Sequence, residues 1–139
     1  MLADLKAEPI GNVYTTTNES TFDQLIYSTP SALRVVVVTS PPNGSNERLW
    51  LDFVFFGVAG LRLFDDPDLH RFFASPSYKR GYRLYRIDAG GWRDQERETP
   101  GMLGVTGAIP LYKEWFVCTT NRCANVMASK EPRLTEGKW

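Results

Sequence analysis

A chain of 139 residues with 42% hydrophobic composition is long enough to bury a core of its own, because a domain of that size removes roughly two thirds of its unfolded surface from water. Its 16 basic and 16 acidic residues cancel to a formal charge of zero, which excludes net attraction to nucleic acid or to an anionic membrane. Two cysteines are too few for the disulfide framework of a small secreted scaffold, and the opening MLADLKAEPIG lacks the continuous apolar run of a secretory signal, so a cytoplasmic protein with reduced thiols is expected.

Val13 to Thr15 predicts a short first strand. Asn18 to Thr21 offers helix-capping residues directly ahead of Phe22 to Tyr27, where Phe22, Leu25 and Ile26 fall at i, i+3 and i+4. That spacing predicts a short helix ended by Ser28-Thr29-Pro30. Leu33 to Thr39 is dense in β-branched residues, which lose χ1 freedom in a helix and pack well on a pleated surface, and it predicts a strand. Ser40 to Asn46 is turn chemistry, and it joins that strand to the next apolar run in a long hairpin.

The run from Leu49 to Phe64 is too short to span a bilayer, which takes about 20 mostly apolar residues, and Asp52, Gly57, Gly60 and Arg62 interrupt it. Its stretch from Phe53 to Phe56 is apolar on both faces. Gly57 and Gly60 predict a tight reversal before Leu61 to Phe64 resumes the alternation, which gives two adjacent strands in the middle of one sheet. Asp66-Pro67-Asp68 then opens a helix, with a cap, a proline at the first position and an acid that complements the dipole, and Leu69, Phe72 and Phe73 face inward.

Tyr82 to Ile87 alternates as a half-exposed strand, Asp88 to Gly91 breaks it, and Trp92 to Thr99 is a short charged helix or loop. Pro100 to Pro110 is a glycine-rich loop that carries large apolar residues. Leu111 to Cys118 and Cys123 to Ala128 predict a terminal hairpin, after which Glu131-Pro132 ends the sheet and the tail is polar. The hairpin turns are too short for parallel crossovers. A single α+β domain over 1–139 follows, mainly antiparallel sheet with two or three short helices on one face.

The densest set of chemically able groups is Asp65, Asp66, Asp68 and His70 at the predicted strand-to-helix junction. A hard cation needs several such oxygens converging on one point, whereas a capping and a dipole-compensating aspartate account for the same letters without a metal. No GxSxG elbow or HExxH motif occurs, which disfavours nucleophilic hydrolysis and a zinc protease. Cys118 and Cys123 lack the four ligands zinc wants, although a two-residue turn at Thr120-Asn121 would bring them opposite each other within disulfide reach.

Gly101, Gly104 and Gly107 fit neither the P-loop nor the dinucleotide fingerprint. Lys79, Arg80, Arg83 and Arg86 interleave with Tyr78, Tyr82 and Tyr85, the ingredients of single-strand binding, but Tyr82 and Tyr85 fall on opposite faces, which leaves a solvated strand with one core tyrosine. No cofactor and no metal are expected. The apolar residues Phe53, Phe55, Phe56, Met102, Leu103, Val105 and Ile109 are the candidate contacts for a protein partner or for self-association.

Three stretches, FFGVAGLRL at 55–63, YRLYRIDAGGW at 82–92 and LYKEWFVCTTNRCANVMASKEP at 111–132, together resemble a loose group of small bacterial proteins, some of them immunity-like proteins that neutralise a toxin. The shared pattern is a core strand entering a GV..LR segment, a strand followed by a tryptophan after a small-residue turn, and a closing hairpin that ends at Glu-Pro. It covers roughly the C-terminal two thirds of the chain and assigns no functional residue. The lack of a catalytic motif, the stretch from Phe53 to Phe56 that is apolar on both faces and the apolar loop from Met102 to Ile109 favour a non-enzymatic protein-binding module, an immunity-like inhibitor or a self-associating subunit. The alternative is a small-molecule-binding protein or an enzyme that uses His70 with Asp65, Asp66 or Asp68.

Overall fold

The computed structural model describes residues 4–14, 20–29, 32–41, 47–65, 70–98, 111–119 and 122–138. In chain order its elements are β1 (Lys6–Val13), β2 (Thr21–Ser28), β3 (Ala32–Thr39), β4 (Leu49–Phe55), β5 (Val58–Asp65), α1 (His70–Phe73), β6 (Tyr82–Ala89), α2 (Trp92–Glu98), β7 (Lys113–Cys118), β8 (Arg122–Ala128) and β9 (Arg133–Lys138).

Alternation along the strands sorts their side chains onto two faces. Leu33, Val35 and Val37 of β3 and Leu51, Phe53 and Phe55 of β4 share one face of a sheet ordered β2-β3-β4-β9. They pack against Leu84, Trp115, Val117, Ala124, Val126 and Ala128 from a sheet ordered β1-β6-β7-β8-β5. Every pairing in both sheets is antiparallel. The alanines of β8 leave room for the rings of Phe53, Phe55 and Trp115, the complementarity of large and small groups that native cores need. Each fully buried Val, Leu or Phe contributes about 1.5–3 kcal/mol relative to exposure.

The architecture is therefore an all-β sandwich, and the expected α+β domain with helices on one sheet face is corrected. What covers the inner face of each sheet is the other sheet. The predicted helix at Phe22 to Tyr27 is strand β2, and its misleading period has a local cause. A register shift between Phe22 and Gln24 inserts Asp23 as an extra residue, so that Phe22 and Leu25 both turn toward the core at an i, i+3 spacing. The four residues of α1 and the seven of α2 are the helices among the described residues. Leu69 of the predicted junction helix lies outside the described residues.

Four smaller expectations change as well. The first strand occupies Lys6–Val13, ahead of the predicted Val13 to Thr15, and Tyr14 beyond it is buried. The strands flanking Phe56 and Gly57 are not neighbours: β4 lies inside the four-stranded sheet and β5 at an edge of the five-stranded one. Gly57, at φ 64°, sits where the chain changes sheets, and a Cβ there would collide with Ser129 Oγ. The half-exposed strand β6 is mostly buried, because β1 and β7 flank it and both of its faces are covered. Finally, the sheet does not end at Pro132, since the polar segment beyond it pairs with β4 as β9.

The outer face of the five-stranded sheet is covered in two places. Phe72 of α1 sits over Tyr85, Ile87, Phe116, Cys118 and Cys123. Trp92 of α2 sits over Met127. The β7–β8 hairpin forms as the sequence predicts, with Cys118 directly opposite Cys123 at a Cα separation of 4.3 Å. The two are joined in a disulfide, so the expected reduced thiols are corrected: the pairing register brings the side chains together.

Candidate functional site

Among the described residues three features bear on function: a buried polar cluster beneath α2, a pair of clefts, and the outer edges of the sheets. The cluster grows from polar residues in strands that are otherwise apolar. Glu114 of β7 and Asn125 of β8 face outward, and both are buried. The Glu114 carboxylate accepts hydrogen bonds from the backbone N–H of Trp92 at 2.8 Å, from that of Arg93 at 3.0 Å and from Asn125 Nδ2 at 3.0 Å. It satisfies the amide donors that the first turn of α2 would otherwise leave unpaired. Asp94 adds a bond at the same end by accepting from the Gly90 N–H at 2.7 Å.

Asn125 Oδ1 in turn accepts from Arg62 Nη2 at 3.1 Å, and Arg62 Nη1 donates to Gln95 Oε1 at 3.1 Å. The Arg62 guanidinium lies 4.3 Å from the Trp92 ring centroid and 4.7 Å from that of Phe64. Burial lowers its pKa from the ordinary value, and the charges of Glu114 and Glu96 oppose that shift. These hydrogen bonds fasten α2 to the sheet.

One cleft of about 190 Å³ lies beside the cluster, lined by Ile87 and by the charged Arg86, Asp88, Arg93, Asp94, Lys113 and Glu114. Its charges balance: Arg86 Nε bonds Asp88 Oδ1 at 2.8 Å, which raises the Arg86 pKa, and burial lowers that of Arg93. The second cleft, about 160 Å³, opens between the sheets among Ile10, Tyr14, Phe53, Arg83 and Leu134. There the Tyr14 hydroxyl donates to Glu136 Oε2 at 2.7 Å, and burial is the main cause of its raised pKa. The buried Arg83 donates to Thr39 Oγ1 at 3.3 Å, and desolvation lowers its pKa. Both clefts are smaller than the roughly 300 Å³ at which small-molecule sites begin.

The edges of the two sheets differ in how they are protected. An edge strand shows unpaired N–H and C=O groups that invite another strand, and natural edges carry lysine, proline, bulges or charge to prevent it. β1 carries Lys6 and Gly11 (φ 87°) at its two register shifts and Pro9 between them. β5 has a register shift next to Gly60, and β9 carries Arg133, Glu136 and Lys138. β2 has a single charge, Asp23, confined to its bulge. From Gln24 to Ser28 it is uncharged and regularly paired to β3, with Ile26 41% and Tyr27 55% exposed.

The sequence-predicted site residues are distributed as follows. Phe53 and Phe55 are 1% and 0% exposed between the sheets, because their strand face turns inward, and this corrects their assignment as partner contacts. Phe56 is 44% exposed at the sheet-to-sheet turn, with the Arg133 guanidinium 5.5 Å from its ring centroid. Met102, Leu103, Val105 and Ile109 lie outside the described residues. So do Asp66, Asp68 and the side chain of His70, whose backbone opens α1. Asp65 ends β5 and receives a bond from Arg122 Nε at 2.9 Å, an exposed cross-strand ion pair.

Of the acidic set only the side chain of Asp65 is among the described residues, and no group of three or more His, Cys, Asp and Glu able to hold a metal occurs among those residues. Among the same residues no helix is long and apolar enough to cross a membrane. Reading the sequence missed the β2 edge because it took that segment for a helix. The absence of Gly, Pro and Lys from TFDQLIYS was the available signal. No protein-family model matches the chain, no curated protein matches it, and no solved structure matches it.

Proposed function

We propose that this chain is a non-enzymatic protein-binding module, an immunity-like inhibitor or a self-associating subunit, that takes its partner by strand addition at β2. The observation that carries the reading is the contrast among the four sheet edges of the described residues, three guarded by charge, proline or bulges and one presenting five uncharged residues with two large side chains in solvent. Main-chain hydrogen bonds supply affinity in this mode, and alternate side chains supply selectivity. The resemblance to immunity-like proteins points the same way. The small clefts support binding over catalysis.

Ile26→Lys tests the reading, because it places a charge on the solvent side of the edge opposite Arg34 without touching the core. Light scattering across micromolar concentrations and capture from native lysate should show an association in the full chain that the variant abolishes. An association that survives Ile26→Lys with a normal melting temperature would overturn it.

A further inference from the structure

We infer that the strand added at β2 is β2 of a second copy, paired antiparallel about a two-fold axis through Ile26. This rests on the reading of β2 as the contact edge and adds the occupant and its register. The segment from Gln24 to Ser28 carries no charge that would select an acidic or a basic partner strand. The neighbouring Arg34 is already paired, its Nε 3.0 Å from Asp52 Oδ2. The fitting complement is another uncharged strand of the same alternation, and β2 is one.

With Ile26 on the axis, Leu25 faces Tyr27 of the second copy and Gln24 faces its Ser28. On the outer face Gln24 then meets Ser28 on either side of the Ile26 pair, on the inner side Leu25 meets Tyr27, and each Asp23 faces Thr29 instead of its own counterpart. A formal charge of zero adds no long-range repulsion between copies. The symmetric pair joins two four-stranded sheets into one continuous sheet of eight, and it is isologous, so it closes at two copies and leaves no further β2 edge to grow a fibre. Five paired residues bury less than a standard interface, so the dimer is expected to be weak and to dissociate on dilution.

Cysteine cross-linking of the full chain reads the register directly. Residues opposite each other in an antiparallel pair have Cα atoms about 4.5–5.5 Å apart, within disulfide reach. Under mild oxidation at 100 µM, Ile26→Cys should convert to a covalent dimer at least tenfold faster than Gln24→Cys or Ser28→Cys alone. A mixture of the last two should cross-link to each other. Equal rates at all three positions, or a monomer by light scattering throughout the micromolar range, would overturn the inference. A monomer that loses a captured lysate protein on Ile26→Lys would overturn self-pairing and leave the binding reading standing, whereas a silent Ile26→Lys in both assays would remove both.

Discussion

At one end of the outer face of the five-stranded sheet, Phe72 lies edge-on to Tyr85 and Phe116, with ring centroids 5.1 and 5.0 Å away. At the other end, Glu114 receives three hydrogen bonds and Asn125 links it to Arg62. Both arrangements fasten a short helical segment to the same sheet, one by ring packing and the other by a polar chain. Apolar packing loses energy in proportion to the atoms removed, and its neighbours close in to some extent. A buried polar chain depends on every member, because a lost partner leaves donors or acceptors unmet in a medium that penalises them.

Phe72→Ala should have the largest effect, about 4 kcal/mol, through loss of ring contacts and a residual cavity, measured by urea denaturation. Glu114→Ala should cost about 3 kcal/mol, since two backbone amides of α2 and the Asn125 amide lose their acceptor, and amide exchange in α2 should accelerate with it. A loss confined to Phe72→Ala, with Glu114→Ala close to neutral, would show that water replaces the carboxylate and would erase the contrast. Glu114→Ala combined with Asn125→Ala should cost less than the sum of the single changes, with a coupling of roughly 1.5 kcal/mol. Phe72→Ala with Glu114→Ala should be additive.

Tyr85→Phe gives the smallest change, about 1 kcal/mol. Its hydroxyl donates to the Lys79 carbonyl and accepts the Lys79 N–H at 3.1 Å, a polar tie within the aromatic end. Burial raises the Tyr85 pKa above its ordinary value of 10.0. The sign follows: the neutral phenol's contribution is fully present below the unfolded value and is lost as pH rises from there toward the folded value. Melting temperature should therefore fall above about pH 10, and the fall should be shallower in Tyr85→Phe. A profile identical in both proteins would assign the alkaline loss to other groups, Tyr14 foremost among them.

How much of this the sequence discloses depends on how locally each feature is set. The β3 strand and the β7–β8 hairpin are legible because β-branched density and a short turn act within a few residues. β2 was misread because one bulged residue, Asp23, converts a strand's period into a helix's. β9 escaped notice because RLTEGK shows almost no apolar alternation, and its place is set by pairing with β4 some 80 residues earlier in the chain. The polar cluster joins residues from β5, α2, β7 and β8, a convergence no spacing rule encodes. Its one local sign was a glutamate and an asparagine in strands that are otherwise apolar.

Trp115 lies 2% exposed between the two sheets, and its indole N–H has no hydrogen-bond partner. Trp92 sits instead under a guanidinium, with its Nε1 donating to Glu96 at 3.2 Å. The two indoles therefore emit from opposite kinds of surroundings, one dry and unbonded and the other polar and next to a cation. With Trp50 and Trp139 replaced by phenylalanine, short-wavelength fluorescence belongs to Trp115, and a red shift of that band reports water reaching the space between the sheets. Loosening of α2 alters the Trp92 contribution and leaves that band in place, so the chain carries separate optical gauges for its centre and for its cover.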